Sequence, residues 1–437
     1  MKKFFIIIFL LSASISWSQK TYTLKEVIDI GFGNSKDLKI SNSKLVSSNA
    51  KIDEVNSQFL PLVTFNAGYT RYSDVTPFEI KLPNFPVPIK LYDVILNNYN
   101  MRLSVQQPLF TGFRLRSLKN SAQYSNTSSE LDLVKDKNDV AINTHIAFWN
   151  LYKAKLIKIY IDDIVKINEQ HLTDTRNLMN HGLATQGDIL KLEVAFSNAK
   201  LQQIDAQNNI EIARIVLNKT IGLPISDNTD IQIDPIDTSS YYNNVKELSV
   251  EGKNNRAELK SLQYKISAAQ ENILATRSAY YPNVFLTGGY TFAQPNQRYQ
   301  PPLNQFKGTW DVGINLNWTL LNWGNTSAQI VQAEQNLVQV QTNLEQLKEN
   351  IEVEINQNYL NLKFAKEKLG VAQLAISQAQ ENLRMTEDKY KSQIATSTDI
   401  IDAQNALLQS STNYTNALVD YQLSKIKLEK SLGRRIY

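Results

Sequence analysis

The segment Trp310-Asp311-Val312-Gly313-Ile314-Asn315-Leu316-Asn317-Trp318 alternates a large apolar residue with a small or polar one from end to end. A period of two marks a β-strand with one apolar face. Three more runs are written in the same way. Val284, Leu286, Gly288 and Tyr290 alternate with Phe285, Thr287, Gly289 and Thr291; Tyr99, Met101, Leu103 and Val105 alternate with Asn100, Arg102, Ser104 and Gln106; Val63, Phe65, Ala67 and Tyr69 alternate with Thr64, Asn66, Gly68 and Thr70. Each run is about 10 residues, enough for a tilted strand to cross a bilayer. The strands of a soluble sandwich also alternate, but four strands are too few for a chain of 437 residues. Tyr72, Phe292, Phe110, Trp318 and Trp323 gather at the run ends, where membrane barrels carry aromatic girdles. Four strands cannot close a barrel with a lumen, and an open edge in lipid leaves backbone groups unpaired at several kcal/mol each. Several copies must therefore share one barrel. Two would give eight strands and three would give twelve, and only the larger number leaves a substantial aqueous interior.

The chain repeats itself. Phe59-Leu60-Pro61-Leu62-Val63 with Gly68-Tyr69-Thr70 matches Tyr280-Tyr281-Pro282-Asn283-Val284 with Gly289-Tyr290-Thr291, an offset of 280 − 59 = 221. Gly182-Leu183-Ala184-Thr185 and Asp188-Ile189-Leu190 match Gln393-Ile394-Ala395-Thr396 and Asp399-Ile400-Ile401, an offset of 393 − 182 = 211. Leu217 to Gly222 matches Leu428 to Gly433 at the same 211. The order helix, strand pair, long helix, turn, long helix is thus performed twice. The first half carries the extra residues between these blocks, and the stretch with Pro77, Pro83, Pro86 and Pro88 reads as the loop that holds them. This divides the chain into a signal peptide at 1–18, a first repeat at 19–222 with strands at about 61–72 and 98–108, and a linker or equatorial segment at 223–244. A second repeat follows at 245–437, with strands at about 282–293 and 309–319. Neither half is expected to fold as a separate globule, because its elongated elements have too few neighbours to bury them.

The helices carry a seven-residue rhythm. Ile330, Ala333, Leu337, Val340, Leu344, Leu347 and Ile351 step by 3 and 4 in turn, and after an extra step of four the series continues through Ile355, Tyr359, Leu362, Ala365, Leu369, Ala372, Ile376, Ala379 and Leu383. That is coiled-coil packing with one stutter. A single helix from about 324 to 390 would reach ~100 Å. On the returning helix Leu407, Tyr414, Tyr421 and Leu428 alternate with Ala403, Ser410, Ala417, Ser424 and Ser431; in the first repeat Phe196, Gln203, Ile210 and Leu217 alternate with Ala199, Ala206, Ala213 and Thr220. Small residues at every seventh position let helices approach closely, which implies a wall of side-by-side helices. The copies that close the sheet would roll this wall into a hollow cylinder.

Lys2 and Lys3 precede the apolar run Phe4 to Leu11, with Ser16 and Ser18 where small residues precede a cleavage site. This is the pattern of an export signal. The run is too short to cross a ~30 Å hydrocarbon layer as a helix. No later stretch approaches 18 uninterrupted apolar residues, so entry into a membrane would be as β-strands. The net charge is +4, from 46 Lys and Arg against 42 Asp and Glu, and no dense basic cluster is present to track a phosphate backbone. No nucleic-acid partner is expected. The absence of cysteine excludes disulfides, thiolate metal sites and Cys nucleophiles.

Enzymatic chemistry finds no inventory. There is no Gly-rich phosphate loop with a Lys, no His-Glu-x-x-His and no Gly-x-Ser-x-Gly. Ser41-x-x-Lys44 and Ser424-x-x-Lys427 lack the companion motifs that would give that spacing meaning. His145, His171 and His181 are not at paired ligand spacing and read as solvated or packed helix residues. No catalysis, metal or cofactor is expected.

In this order, twice over, the motifs resemble the TolC-like outer-membrane efflux channels. The resemblance runs from Leu24-Lys25-Glu26-Val27 through the junctions at Pro61 and Pro282, the strand exit Gln107-Pro108-Leu109-Phe110-Thr111-Gly112 and Asn255-Arg256-Ala257-Glu258-Leu259 to Leu432-Gly433. It implies a mixed α and β membrane protein: a homotrimer whose shared twelve-stranded β-barrel, four strands per chain, continues into a long α-helical coiled-coil barrel. It also implies a place in the outer membrane of a Gram-negative cell with a periplasmic extension, against outer-membrane lipid. A periplasmic adaptor and an inner-membrane pump are the implied partners, with passive conduction of drugs, metals or polypeptides as the activity. The competing reading is a periplasmic coiled-coil adaptor or structural protein that never enters lipid; helical hairpins fit both, and the four alternating runs with terminal aromatics fit only the channel.

Both helix hairpins turn through Thr-x-x-Asp, Thr185 to Asp188 and Thr396 to Asp399. That spacing reads as a capping box with a short acid. Asp399 and Asp402 lie three apart and share a helix face; the resemblance implies that they form the pore constriction, six carboxylates in a trimer that favour cations. Tyr390 matches a tyrosine of the family's closed-state latch, with Ala395 where its best-known member has an arginine. The resemblance further assigns Gly182, Thr185, Asp188 and Thr396 to the hairpin tips that meet the adaptor, although tight-turn chemistry alone accounts for the same residues.

Overall fold

The computed structural model describes residues 21–81, 83, 86–90, 94–233 and 244–437. The signal peptide expected at 1–18 and most of the later half of the expected linker, 234–243, lie outside the described residues. In chain order the elements are β1 (Thr21–Tyr22), α1 (Leu24–Asn34), α2 (Lys36–Ser57), β2 (Leu62–Arg71), β3 (Glu79–Ile80), β4 (Ile89–Lys90), β5 (Asn97–Thr111), α3 (Arg114–Asn180) and α4 (Gln186–Ile221). Then come β6 (Asp230–Ile231), α5 (Val245–Asn255), α6 (Ala257–Arg277), β7 (Asn283–Gln294), β8 (Lys307–Asn317), α7 (Asn325–Lys391) and α8 (Ser397–Ser431). α3 and α7 are 67 residues each. Among the described residues no helix is long and apolar enough to cross a membrane. The chain forms two compact units, one of residues 41–133 and 258–347 and the other of the remainder.

The first unit holds the sheet. Its four long strands are antiparallel in the order β2-β5-β7-β8. Register sets Phe65 opposite Leu103, Leu103 opposite Tyr290, and Tyr290 opposite Trp310, so one apolar row crosses all four strands. The next row is Val63, Val105, Gly288 and Val312. Parity assigns the rows Asn66, Arg102, Thr291, Thr309 and Thr64, Ser104, Gly289, Asp311 to the opposite face. The apolar face is uncovered: Trp310 is 71 % exposed and Ile314 68 %. Strand ends differ from the sequence reading by one to three residues, most at β5, which continues to Thr111 past a bulge between Pro108 and Phe110. It can do so because β7 supplies partners down to Asn283. The proline-rich segment, read as a loop, contains the short antiparallel pair β3 and β4. Beside the sheet, small residues let α3 and α6 touch: Ser128 and Ser261 share a hydrogen bond of 2.8 Å, and Ser121 donates to the Ala268 carbonyl at 3.1 Å.

The second unit is helical. Its largest core joins Val27 of α1, Phe148, Leu151 and Tyr152 of α3, Ile210, Leu217 and Ile221 of α4, and Val419 of α8. Ala199 and Ala206 of α4 pack with Ile161, Ile164 and Val165 of α3, as small residues every seventh position allow. On α7, Ile351, Ile355, Leu362, Ala365, Leu369, Ile376, Ala379 and Leu383 are buried, the phase given by the heptads. On α8, Tyr421 and Leu428 are fully buried beside Ala417 and Ser431. β1 and β6 form a two-residue parallel pair, fixed by Lys155 on Asp230 at 2.5 Å. Arg256, in the motif that opens the second repeat, is buried and donates to Glu354 at 3.0 Å and to the Ser431 carbonyl at 3.2 Å.

Candidate functional site

The two helical tips are built alike. At the end of α3 the Gly182 amide donates to Met179 and the Leu183 amide to Leu178; at the end of α7 the Gln393 amide donates to Tyr390 and the Ile394 amide to Lys389. Both are Schellman turns, with the left-handed position held by Gly182 (φ 73°) and Gln393 (φ 62°). The next helices start from reciprocal capping boxes. Thr185 receives the Asp188 amide and Asp188 accepts from the Thr185 amide and hydroxyl at 3.1 and 2.6 Å; Asp399 accepts from the Thr396 amide and hydroxyl, both at 2.7 Å. Capping is therefore present at both Thr-x-x-Asp motifs. The boxes adjoin, since the Ser397 hydroxyl donates to Asp188 at 3.3 Å.

These bonds set the electrostatics. The Thr396 amide, then its hydroxyl, holds Asp399 below the usual carboxylate range. For Asp188 the Thr185 hydroxyl acts first and the amide second. Asp402 stands three residues beyond Asp399 on α8, and both are exposed. Asp399 is thus committed to its cap, while Asp402 lies outside it.

Tyr390, near the end of α7, shares a 2.5 Å hydrogen bond with Thr175 of α3. Its ring meets the edge of His171 at 5.8 Å. His171 is buried, with Nε2 3.9 Å from Glu387, and burial lowers its pKa against the pull of Glu387. The sequence reading singles out Tyr390 and expects His171 to be a solvated or packed helix residue, of which it is the packed kind; it pairs neither His171 nor Thr175 with Tyr390, because nothing in α3 marks which of its turns lies beside α7.

In the sheet-bearing unit, the polar face carries a bridge that the sequence alone does not reveal. Arg102 on β5 donates to Ser104 at 3.2 Å, to Thr291 on β7 at 2.8 Å and to Asp311 on β8 at 2.9 Å. The alternation places all four on one face, but only the register reveals that they meet.

One exposed apolar face and one hydrogen-bonded polar face on a sheet whose outer strands have no further partner among the described residues, in a tandem-repeat chain that also carries long helical hairpins, define an outer-membrane channel subunit. The chain belongs to the outer membrane efflux protein family, whose profile matches residues 29–223 and 248–434. Its place is the outer membrane. It is 22 % identical to outer membrane protein TolC of Vibrio cholerae over 265 residues, 60 % of each chain. It is 20 % identical to the probable efflux pump outer membrane protein TtgC of Pseudomonas putida over 434 residues, 97 % of this chain and 85 % of that one. Among solved structures, the Campylobacter jejuni CmeC outer membrane channel superposes with a TM-score of 0.76 at 16 % identity, covering 96 % of this chain and 90 % of that one. The outer membrane protein VceC of Vibrio cholerae superposes with a TM-score of 0.75 at 16 % identity, covering 95 % and 97 %.

Proposed function

We propose that three copies assemble into an outer-membrane exit duct, which passively conducts drugs, metals or polypeptides delivered by an inner-membrane pump through a periplasmic adaptor. The observation that carries this reading is the sheet: four strands, two open edges, and an apolar face on which Trp310, Val312, Ile314 and Leu316 are each more than 60 % exposed. Lipid covers such a face, and only further copies can satisfy such edges in lipid. Three copies give twelve strands, enough for an aqueous lumen lined by the polar face. In the helical unit, exposed apolar residues continue at near-heptad spacing, as Val353, Leu360, Val371 and Leu374 on α7, and neighbouring copies would bury them.

In this duct Asp399 and Asp402 form the constriction, Tyr390 latches the closed state through Thr175, and the tips at Gly182, Thr185, Asp188 and Thr396 receive the adaptor. Relatives named for toluene efflux and for alkaline protease secretion span small molecules and polypeptides, so cargo is left to the pump. A periplasmic adaptor that stays out of lipid is disfavoured by the uncovered Trp310 row. Fractionation tests the choice: the expected result is a heat-resistant trimer in outer-membrane fractions, and a soluble monomer in the periplasm overturns the proposal.

A further inference from the structure

Given the shared barrel proposed above, the internal repeat and the sheet register bear on how one copy would meet the next. Among the described residues β2 pairs only with β5 and β8 only with β7. The joint already present inside the chain, β5 against β7, serves as a template. Leu62 faces Gln106 as Asn283 faces Asn317, so β7 is β2 displaced by 283 − 62 = 221 and β8 is β5 displaced by 317 − 106 = 211. Inside the chain Leu103 faces Tyr290, Val105 faces Gly288 and Gln107 faces Leu286. Carrying the same joint across by those offsets sets Ile314 opposite Tyr69, Leu316 opposite Ala67 and Trp318 opposite Phe65 of a second copy.

Nothing in that operation selects for chemistry, yet all six residues belong to the apolar alternation. A slip of one residue would oppose apolar to polar throughout. Strand direction agrees too, because neighbours in the sheet alternate and β8 meets a second β2 antiparallel.

The strand exits repeat as well. Gly112 and Phe113 (φ 62° and 68°) follow β5, and Trp323 and Gly324 (φ 53° and 84°) follow β8. Gly112 is closed in by the second repeat: a Cβ there would stand 2.7 Å from the Ser278 carbonyl and 2.8 Å from Tyr281 Cβ. At the 221 offset the counterparts of Ser278 and Tyr281 are Ser57 and Leu60, which line a groove of about 550 Å³ with Gln58, Pro61, Leu62 and Arg114. Trp323, in the place of Gly112, is 89 % exposed.

We infer that β8 of one copy pairs with β2 of the next with Ile314 opposite Tyr69, and that Trp323 seats in the groove at Ser57 to Leu62 of that second copy. An indole cannot approach as closely as Gly112 does, and the groove supplies the room. The same pairing accounts for strand length. β5 runs past its last β2 partner, Gln106, to Thr111 because β7 continues beside it, whereas β8 stops at Asn317 until Leu62 to Thr64 of a neighbour extend it.

The chain has no cysteine, so introduced pairs report without background. Leu316→Cys with Ala67→Cys, oxidised in outer membranes, is expected to yield covalent trimers on a denaturing gel. The yield should be about tenfold above that of Val312→Cys with Ala67→Cys, which lies four residues out of register, since opposed Cβ atoms stand about 4.5–5.5 Å apart. Native mass spectrometry of the uncrosslinked protein reads the oligomer separately. A trimer without the 316 to 67 crosslink, or with an equal crosslink from 312, overturns the register and leaves the shared barrel standing. A lone-subunit mass removes the barrel and the seam with it. Trp323→Ala should lower the temperature at which detergent-solubilised trimers dissociate while Trp323→Phe retains most of it, and an unchanged temperature in Trp323→Ala overturns the seat.

Discussion

The guanidinium of Arg102 lies over Gly289 and reaches Asp311 two strands away, at 2.9 Å. A Cβ on Gly289 would stand 2.6 Å from Arg102 Nη2, so the bare backbone of β7 is what lets the side chain cross it. In the proposed duct, where the polar face lines the lumen, the pair cancels one positive and one negative charge in every copy. Arg102→Gln leaves Asp311 uncompensated and should shift the reversal potential in planar bilayers toward cation selectivity, whereas Gly289→Ala, which displaces the guanidinium but keeps its charge, should shift it much less. Adding Asp311→Asn to Arg102→Gln should return it toward wild type. Identical reversal potentials in all four proteins would place the pair away from the ion path.

Asp399 and Asp402 make a second selectivity prediction, at the helical tips. Replacing both with Ala removes six carboxylates from a trimer and should reduce cation preference in the same bilayer measurement. Because Asp399 also accepts from the Thr396 amide and hydroxyl, Asp399→Ala alone should additionally loosen the tip, and Asp402→Ala alone should not.

Tyr390→Phe deletes the hydroxyl that bonds Thr175 and keeps the ring against His171. A net hydrogen bond is worth about 1 kcal/mol, so the closed-to-open ratio should fall about fivefold, read as more frequent openings of single channels. Thr175→Val should reproduce the change, and the double variant should add little, since both remove one bond.

The pH dependence of the Thr185 cap follows from its sign. Asp188 is held below the ordinary carboxylate range by the Thr185 hydroxyl and amide, with burial opposing. A depressed carboxylate contributes its full stability above the unfolded value, near 3.9, and loses it as pH falls through the folded one. Tip amides should therefore keep their hydrogen-exchange protection at pH 5 and lose it only below about pH 4, after correction for intrinsic exchange. Thr185→Ala should cost the tip about 1 kcal/mol at neutral pH. Loosening already at pH 6 would contradict this account.

Arg256 is buried and bonded to Glu354 and to the Ser431 carbonyl. Arg256→Ala should destabilise by about 2–3 kcal/mol, the scale of hydrogen bonds to a charged group, discounted because Glu354 is partly exposed. Thermal unfolding in detergent reads it, and Arg256→Lys should recover only part, since an ammonium cannot reproduce the planar fork.

The elements that follow a short period were legible. The runs around Leu103 and Ile314 announce strands because successive side chains point to opposite faces, and the heptads from Ile330 to Leu383 announce a long helix because every third or fourth residue returns to one side. The Thr-x-x-Asp caps were legible for a related reason: a cap closes within one turn, so four consecutive residues contain all of it. Tyr390 was found through the resemblance, but its partner Thr175 was not, since the two are 215 positions apart in sequence.

What the sequence determined by itself is thus whatever is decided within a few residues or copied by the repeat: the strands and their faces, the helices and their phase, the caps, and the performance of the whole plan twice. The tertiary structure decided which residues meet across elements, such as Arg102 with Asp311 over Gly289, Tyr390 with Thr175, and Arg256 with Ser431. The physical reason is that those contacts depend on strand register and helix offset. Both are set by the summed packing of whole elements rather than by any local pattern: a slip of one residue between strands would part Arg102 from Asp311, and an axial slip between helices would part Tyr390 from Thr175.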